Sequence, residues 1–396
     1  MKKIVFIFGA MLLFGDQPLL LAQGLTASAF ANETDGSEQD AGILHQPGIA
    51  GEWGGVRPYL QNHGIDLEVG YTGELVRNMA GGIVPKQSVY HDDLEISLSI
   101  DSEKAGLWAG GTLFVSGLRN HGGDPSANVI GDLQTASNIE APDQFIVYEA
   151  WFEQQFAAGK LSLLFGLHDM NREFYVSEYA ALFINSSFGI GPEISVNVPT
   201  SIFSKAGLAG RIRIQPIKSA YVQAAVYDGD ATTRGFRAGE GRMLVAEAGA
   251  HMEGLTAKAG YWRHTAKHTY AGRSFNHDFG YYGIFDLSLT QWQGGDAGFF
   301  AQLGHAPKDR NDVSDYRGFG LNLTGIIPSR EHDQLGVAVA QAKTAAGIEK
   351  DIEATLRLQL ADWLALQPSY QWIINPGGVD GAPMAKVGLL RFEANL

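Results

Sequence analysis

Asn171-Arg172-Glu173-Phe174-Tyr175 sets an amide, a guanidinium, a carboxylate and two aromatic rings in consecutive positions. Such a mixture suits a neutral polyol, whose hydroxyls need donors and acceptors and whose C–H face lies against a ring. Arg211 and Arg213 alternate with Leu208, Ile212 and Ile214, so both arginines face away from the apolar side. Glu149, Trp151 and Glu153 share a parity in the same way, and Glu247, His251, Trp262, His264, Arg357 and Arg391 follow further along. The set carries both signs. Opposed fixed charges orient water and polar solutes with little preference between ions, whereas a ring of one sign selects ions of the other. The expectation is a weak, saturable site formed by Arg211 and Arg213 with the 171–175 stretch. Two plainer roles stay open. Any single charge can be a solvated wall residue, and the stretch holding Phe183 and Phe188 can be a loop packed on that wall.

Other chemistry finds little support. No Gly-x-Ser-x-Gly elbow, Walker loop or His-Glu-x-x-His pair occurs, so no catalytic residue is assigned, although an enzyme using Ser and His side chains stays open as an alternative. His264 and His268 are four apart, a spacing that joins two metal ligands on a helix and not where a strand runs into a loop. Asp228, Asp230 and Glu240 fall in a glycine-rich stretch that reads as a solvated loop sooner than a calcium site. With no cysteine in 396 residues there is neither a disulfide nor a thiolate metal site, and no cofactor is implied. The 43 acids against 29 Lys+Arg, a net charge of −14, leave no clustered cations for nucleic acid. Fifty glycines without a three-residue period point to tight turns and to small inward-facing positions in sheets.

The elements that position these residues follow from periodicity. In Asp351 to Leu360, Ile352, Ala354, Leu356, Leu358 and Leu360 share one parity while Asp351, Glu353, Thr355, Arg357 and Gln359 take the other, which is a strand and not a helix. From Ile65, the residues Ile65, Leu67, Val69, Tyr71 and Leu75 oppose Asp66, Glu68, Thr72 and Glu74. Similar segments run over Leu94–Asp101, Leu107–Gly117, Phe145–Glu153, Lys160–His168, Leu208–Gln215, Tyr221–Asp228 and Leu244–Glu253. They continue over Leu255–His264, Phe279–Thr290, Gly298–His305, Tyr316–Thr324, Gln334–Lys343, Asp351–Leu360, Trp363–Trp372 and Lys386–Leu396. About sixteen strands of roughly ten residues match the length that crosses a bilayer at a tilt. If the apolar face meets lipid, a register slip of one residue places Arg357 in hydrocarbon, at about 2–4 kcal/mol near the midplane.

Connection lengths orient the assembly. The first four odd-numbered gaps hold roughly 18, 27, 39 and 15 residues and the first four even ones about 5, 6, 5 and 1, the pattern of a transmembrane antiparallel β-barrel with short periplasmic turns and long external loops. The longest gap, about residues 168–207, occupies the third external position and is expected to fold inward and narrow the channel. A secreted β-sandwich also alternates, but it gives no reason for the length asymmetry, and a sixteen-stranded sheet with one apolar face loses its edges only by closing. Lys2, Lys3, the apolar run from Ile4 to Phe14 and Ala29-Phe30-Ala31 form a signal peptide cleaved after Ala31, in keeping with export. Residues 32–64 then make an N-terminal periplasmic segment with a short helix from Pro58 to Gly64, either packed through Trp53 and Arg57 or set to plug or brace the barrel's inner rim, and residues 65–396 make the barrel.

Three glycine-rich strings carry a family resemblance. Gly51-Glu52-Trp53-Gly54-Gly55-Val56-Arg57, continued by His63-Gly64-Ile65 and Tyr71-Thr72-Gly73-Glu74, resembles the opening of the OprB family of carbohydrate-selective porins. Phe183-Ile184-Asn185-Ser186-Ser187-Phe188-Gly189-Ile190-Gly191-Pro192-Glu193 and Ile373-Ile374-Asn375-Pro376-Gly377-Gly378 are similar to that family's central and carboxy-terminal signatures, in order. The resemblance implies a sixteen-stranded channel in the outer membrane of a Gram-negative bacterium, surrounded by its lipid, passing monosaccharides such as glucose by facilitated diffusion. It leans toward a monomer and carries over no sugar-contacting residue. A general diffusion or ion-selective porin is the nearest alternative.

Overall fold

The computed structural model describes residues 48–395, so the signal peptide and its cleavage site lie outside the described residues. Sixteen antiparallel strands close one barrel: β1 (Ile65–Ala80), β2 (Ser88–Asp101), β3 (Gly111–Gly122), β4 (Gln144–Phe156), β5 (Leu161–His168), β6 (Gly207–Ile217), β7 (Ala220–Asp228), β8 (Arg242–Met252), β9 (Leu255–His264), β12 (Asp278–Trp292), β13 (Gly295–His305), β14 (Val313–Thr324), β15 (Gln334–Thr344), β16 (Ile348–Ala361), β17 (Leu364–Ile374) and β18 (Ala385–Asn395). A separate hairpin, β10 (His268–Tyr270) and β11 (Arg273–Phe275), stands in the connection between β9 and β12. Closure runs through β1 and β18, with Thr72 opposite Glu393 and Leu75 opposite Leu390, so the sheet has no free edge. Among the described residues no helix is long and apolar enough to cross a membrane.

The parity read from the sequence sets the two faces. On β16, Glu349, Asp351, Glu353 and Thr355 are buried inside the barrel while Ile352, Ala354 and Leu356 face out. Exposed Val337, Phe165, Ile212, Leu321 and Leu390 continue the outer apolar surface around the circumference. In water such a surface would be unstable; in a bilayer it is the matched face.

Several boundaries differ from the sequence reading. β1 runs on to Ala80 and pairs with β2 as far as Arg77 opposite Ser88, so the first connection is 81–87. β3 starts at Gly111 instead of Leu107, because Gly106 and Gly110, both at positive φ, turn the chain before it. The connection 102–110 is therefore longer than 81–87, and 325–333 is longer than 345–347, so the length alternation fails at these two places and holds elsewhere. Helix α1 (Val56–Asn62) begins two residues before Pro58, with Gly55 at φ 91° before it and Gly64 at φ 76° beyond it. Pro58 sits in the first turn, where a missing N–H loses no intrahelical bond. Arg57 lies 5.5 Å from the Trp53 ring, and the Ile49 N–H donates to Asn395 O at 3.0 Å, tying this segment to the last strand.

Candidate constriction inside the barrel

A bulge in β4 opposite Val115–Gly117 turns both Tyr148 and Glu149 inward, where simple alternation allows only one. The Tyr148 hydroxyl donates to Asp169 Oδ2 at 2.5 Å, and the Asp169 N–H donates to Glu149 Oε1 at 2.8 Å. These bonds swing residues 169–206 into the lumen directly after β5. Asp169 caps the turn that follows by accepting from the Asn171 N–H at 2.8 Å.

From there the loop crosses the barrel, held by wall carboxylates that accept its backbone N–H groups. Glu247 on β8 accepts from Tyr175 N at 3.1 Å, Asp286 on β12 from Tyr179 N at 3.3 Å, and Glu353 on β16 from Ile184 N at 2.9 Å and Asn185 N at 3.0 Å. Wall amides do the reverse. Gln302 donates to Phe188 O at 2.8 Å and Gln367 to Leu182 O at 2.7 Å. Lys258 donates to Val176 O at 2.6 Å. A buried backbone loop survives only when its polar groups are paired, and here the wall pairs them.

The apolar side of the loop has its own seat. Phe183, Phe188 and Phe300 form a ring cluster with centroids 5.0–5.7 Å apart. Glycines on the wall make room for it. A Cβ at Gly298 would stand 2.0 Å from the Tyr179 ring, and one at Gly304 would stand 2.1 Å from the Glu193 carboxylate. Burial pushes Glu193, in the short helix α2 (Pro192–Ser195), up to about 8.

A second connection, residues 123–143, also turns inward, which the sequence did not indicate. Gln371 donates to Ala136 O at 2.8 Å, and Glu349 accepts from Leu133 N at 2.7 Å and Gln134 N at 2.8 Å. The two loops meet where Asn138 N donates to Ile184 O at 2.9 Å and Ser186 N to Thr135 O at 3.0 Å.

The residues singled out in the sequence fall into three places. Arg172, Glu149, Glu173 and Arg211 are brought together. Arg172 bridges Glu149 and, at 2.9 Å, Glu95; Arg211 bridges Glu173 at 2.6 Å and Glu153 at 2.8 Å. Asn171 donates to Phe174 O and Gly189 O, at 3.1 and 2.9 Å, and so braces the loop from within. Arg213 lies 3.9 Å over the Tyr221 ring and donates to Gln223 at 3.1 Å, beside Glu247, which also accepts from Tyr221 and Tyr282 at 2.7 and 2.8 Å. Trp151 is 2% exposed and stacks on Phe114. Further round the same wall, Arg391 bonds Glu74 and Asn138, and Arg357 bonds Glu393 at 3.0 Å. His251 and His264 are separate from both groups, His251 pairing with Thr256 and His264 lying 2.7 Å from Gly229 O, whereas Trp262 is buried in the apolar cluster that holds Phe174 and Tyr175 of the inward loop. No group of three His, Asp or Glu side chains with metal-holding geometry occurs among the described residues.

The Arg391 and Arg172 groups are joined by residues that sequence reasoning did not nominate. Glu74, His91 and Arg391 stand in register on β1, β2 and β18, and His91 Nε2 lies 2.9 Å from Glu74. Further along β2, Asp93 is within electrostatic reach of both Arg391 and Arg172, and Glu95 bonds Arg172. Arg391, Glu74, His91, Asp93, Glu95, Arg172 and Glu149 thus form one ladder of acidic and basic side chains from β18 across β1 and β2 to the inward loop. The signal was present as inward parity on β1 and β2. What was missing was the loop that completes it.

Comparison with known proteins agrees with this architecture. The family described as "Carbohydrate-selective porin, OprB family" matches residues 86–396. Porin B of Pseudomonas aeruginosa is 24% identical, over 87% of this chain and 90% of its own. The high-pH structure of Pseudomonas putida OprB aligns with TM-score 0.82 at 20% identity, covering 91% of this chain and 100% of that one. The low-pH structure of the same protein gives 0.62 at 17% identity, over 89% and 99%. On that match the chain belongs to the OprB family of carbohydrate-selective porins, barrels of the Gram-negative outer membrane that conduct sugars and do not transform them.

Proposed function

We propose that this porin passes monosaccharides by facilitated diffusion along the wall ladder that runs from Arg391 and Glu74 through His91, Asp93 and Glu95 to Arg172, as a single barrel. The observation that carries the reading is that ladder of acidic and basic side chains, fixed at one end by strand register and at the other by a loop whose backbone the wall holds. A hexose crossing it exchanges water hydrogen bonds for bonds to alternating donors and acceptors. An ion of either sign meets repulsion as well as attraction, so net ion preference stays low. Affinity is weak, because a solute that binds tightly does not leave.

Arg211 and Arg213 belong to the same proposal at one remove. Arg211 orders Glu173 and the start of the loop, and Arg213, stacked on Tyr221, carries the polar wall behind it. The test is osmotic swelling of liposomes holding wild type, Asp93→Asn, Arg391→Gln and the Arg211→Ala/Arg213→Ala pair, over mono-, di- and trisaccharides. Altered half-saturation or sugar preference in the first two supports the ladder as the selective element. Swelling rates identical to wild type in all of them, with no saturation by any sugar, would favour a general diffusion pore.

A further inference from the structure

The outward face of the barrel, apart from the channel, is charged on one side only. Arg77 on β1, Arg263 on β9, Arg317 on β14, Lys343 on β15, Lys350 on β16 and Lys386 on β18 all have outward parity, and all lie in the strand halves that carry the odd-numbered, external connections. Among the described strands, the outward positions of the opposite halves hold no Lys or Arg. In a chain with 43 acids and 29 Lys+Arg, such segregation is not a by-product of composition.

Register packs three of these cations together. Gln341 on β15 stands opposite Arg317 on one side and Lys350 on the other, and Lys343 follows on the same face of β15. Neighbouring strands lie about 4.8 Å apart, so the three head groups converge within roughly two strand spacings. One acid faces this cluster, Asp315, and it is shared by Lys343 at 3.8 Å and His305 at 3.0 Å. On the far side of the belt, Asp92 is likewise matched by Arg119 at 3.0 Å and His121 at 3.7 Å. The cations are also placed at a definite depth. Lys386 pairs across the sheet with Trp372, Arg263 with Phe279, and His305 with Tyr281, which is aromatic-girdle level, where hydrocarbon gives way to head groups.

We propose that Arg317, Lys343 and Lys350 bind the phosphate groups of a phosphorylated glycolipid in the outer leaflet, with the remaining cations extending the contact around the barrel. A convergent set of guanidinium and ammonium groups at head-group depth is complementary to a membrane-bound phosphate. Neutral lipid gives these groups no counter-charge.

Native mass spectrometry of the whole barrel in detergent, titrated with deep-rough lipopolysaccharide carrying its lipid A phosphates and with the same lipid dephosphorylated, tests this. Wild type is expected to retain the phosphorylated form preferentially. The Arg317→Gln/Lys343→Gln/Lys350→Gln variant is expected to bind it about tenfold or more weakly. Lys104→Gln/Lys160→Gln/Lys218→Gln, which removes as much charge from the opposite rim, is expected to bind as wild type does. If the triple variant folds poorly, Arg317→Lys with Lys343→Arg keeps the charge and should keep the lipid. Equal retention of both lipids by wild type, undiminished binding by the triple variant, or a change in barrel self-association in place of lipid binding would each overturn the proposal. Sugar flux through the triple variant should be unchanged, which separates this outcome from any failure of the transport reading.

Discussion

Glu353 is the clearest place to ask whether the inward loop is held by the wall. Its carboxylate is fully buried and accepts from Ile184 N at 2.9 Å, Asn185 N at 3.0 Å and Ser369 Oγ at 2.9 Å. Glu353→Ala strips two backbone N–H groups of their acceptor where water does not replace it, at about 1–3 kcal/mol each. Near the middle of that range the change is about 4 kcal/mol, close to a thousandfold in the equilibrium between seated and released loop. The barrel itself should persist, because its strand ladders are backbone bonds that the substitution leaves in place. Glu353→Gln keeps one acceptor oxygen and should fall between. Planar-bilayer conductance and liposome swelling are the assays: Glu353→Ala should conduct more, with unsteady current, and should admit disaccharides faster than wild type. A folded Glu353→Ala barrel with wild-type conductance and an unchanged size cutoff would refute the argument that wall carboxylates hold the loop.

Other expectations follow from the same geometry. Arg172→Ala leaves Glu95 and Glu149 buried without their counter-charge, at about 3–5 kcal/mol, and should lower refolding yield and thermal midpoint. Gly298→Val drives a side chain into the Tyr179 ring and should break the 2.9 Å bond from Tyr179 to Asp296, raising amide exchange in the loop while strand protection is kept. Burial pushes Glu140 from 4.5 up to about 7 and raises Asp132 as well, with the neighbouring Glu349 charge adding to the latter. Since these folded values lie above the ordinary ones, their support for the 123–143 loop is complete below about pH 4 and is lost as pH rises through about 7. Current noise should therefore grow between pH 5 and 8, and Asp132→Asn should flatten that dependence. Val337→Arg places a cation on the lipid face and should destabilise folding into vesicles by about 2–4 kcal/mol if it lies near the midplane.

The barrel was legible because one physical rule, alternation of lipid and lumen faces, repeats on every strand. Asp351 to Leu360 alone displays it, and the inward positions of Arg211, Glu247 and Arg391 follow from the same parity. Strand ends were less legible. The extension of β1 to Ala80 depends on pairing with Ser88 on the next strand, a partner that local periodicity does not show. The site was read halfway. Parity gave the wall residues, but Glu149 and Tyr148 share a face only through a bulge opposite Val115–Gly117, and the role of Glu353 depends on Ile184 and Asn185 arriving from far along the chain. The inward course of residues 123–143 has no local signature at all, since its bonds to Glu349 and Gln371 join segments more than 200 residues apart.

Selective, saturable sugar transport is tested most directly by flux through the reconstituted barrel. Swelling rates and ion currents for one preparation, taken over a concentration series of mono-, di- and trisaccharides, should show saturating monosaccharide entry, falling rates with chain length and reversal potentials near zero in a salt gradient. Rates proportional to concentration for every sugar, together with a strong preference for anions or cations, would contradict it.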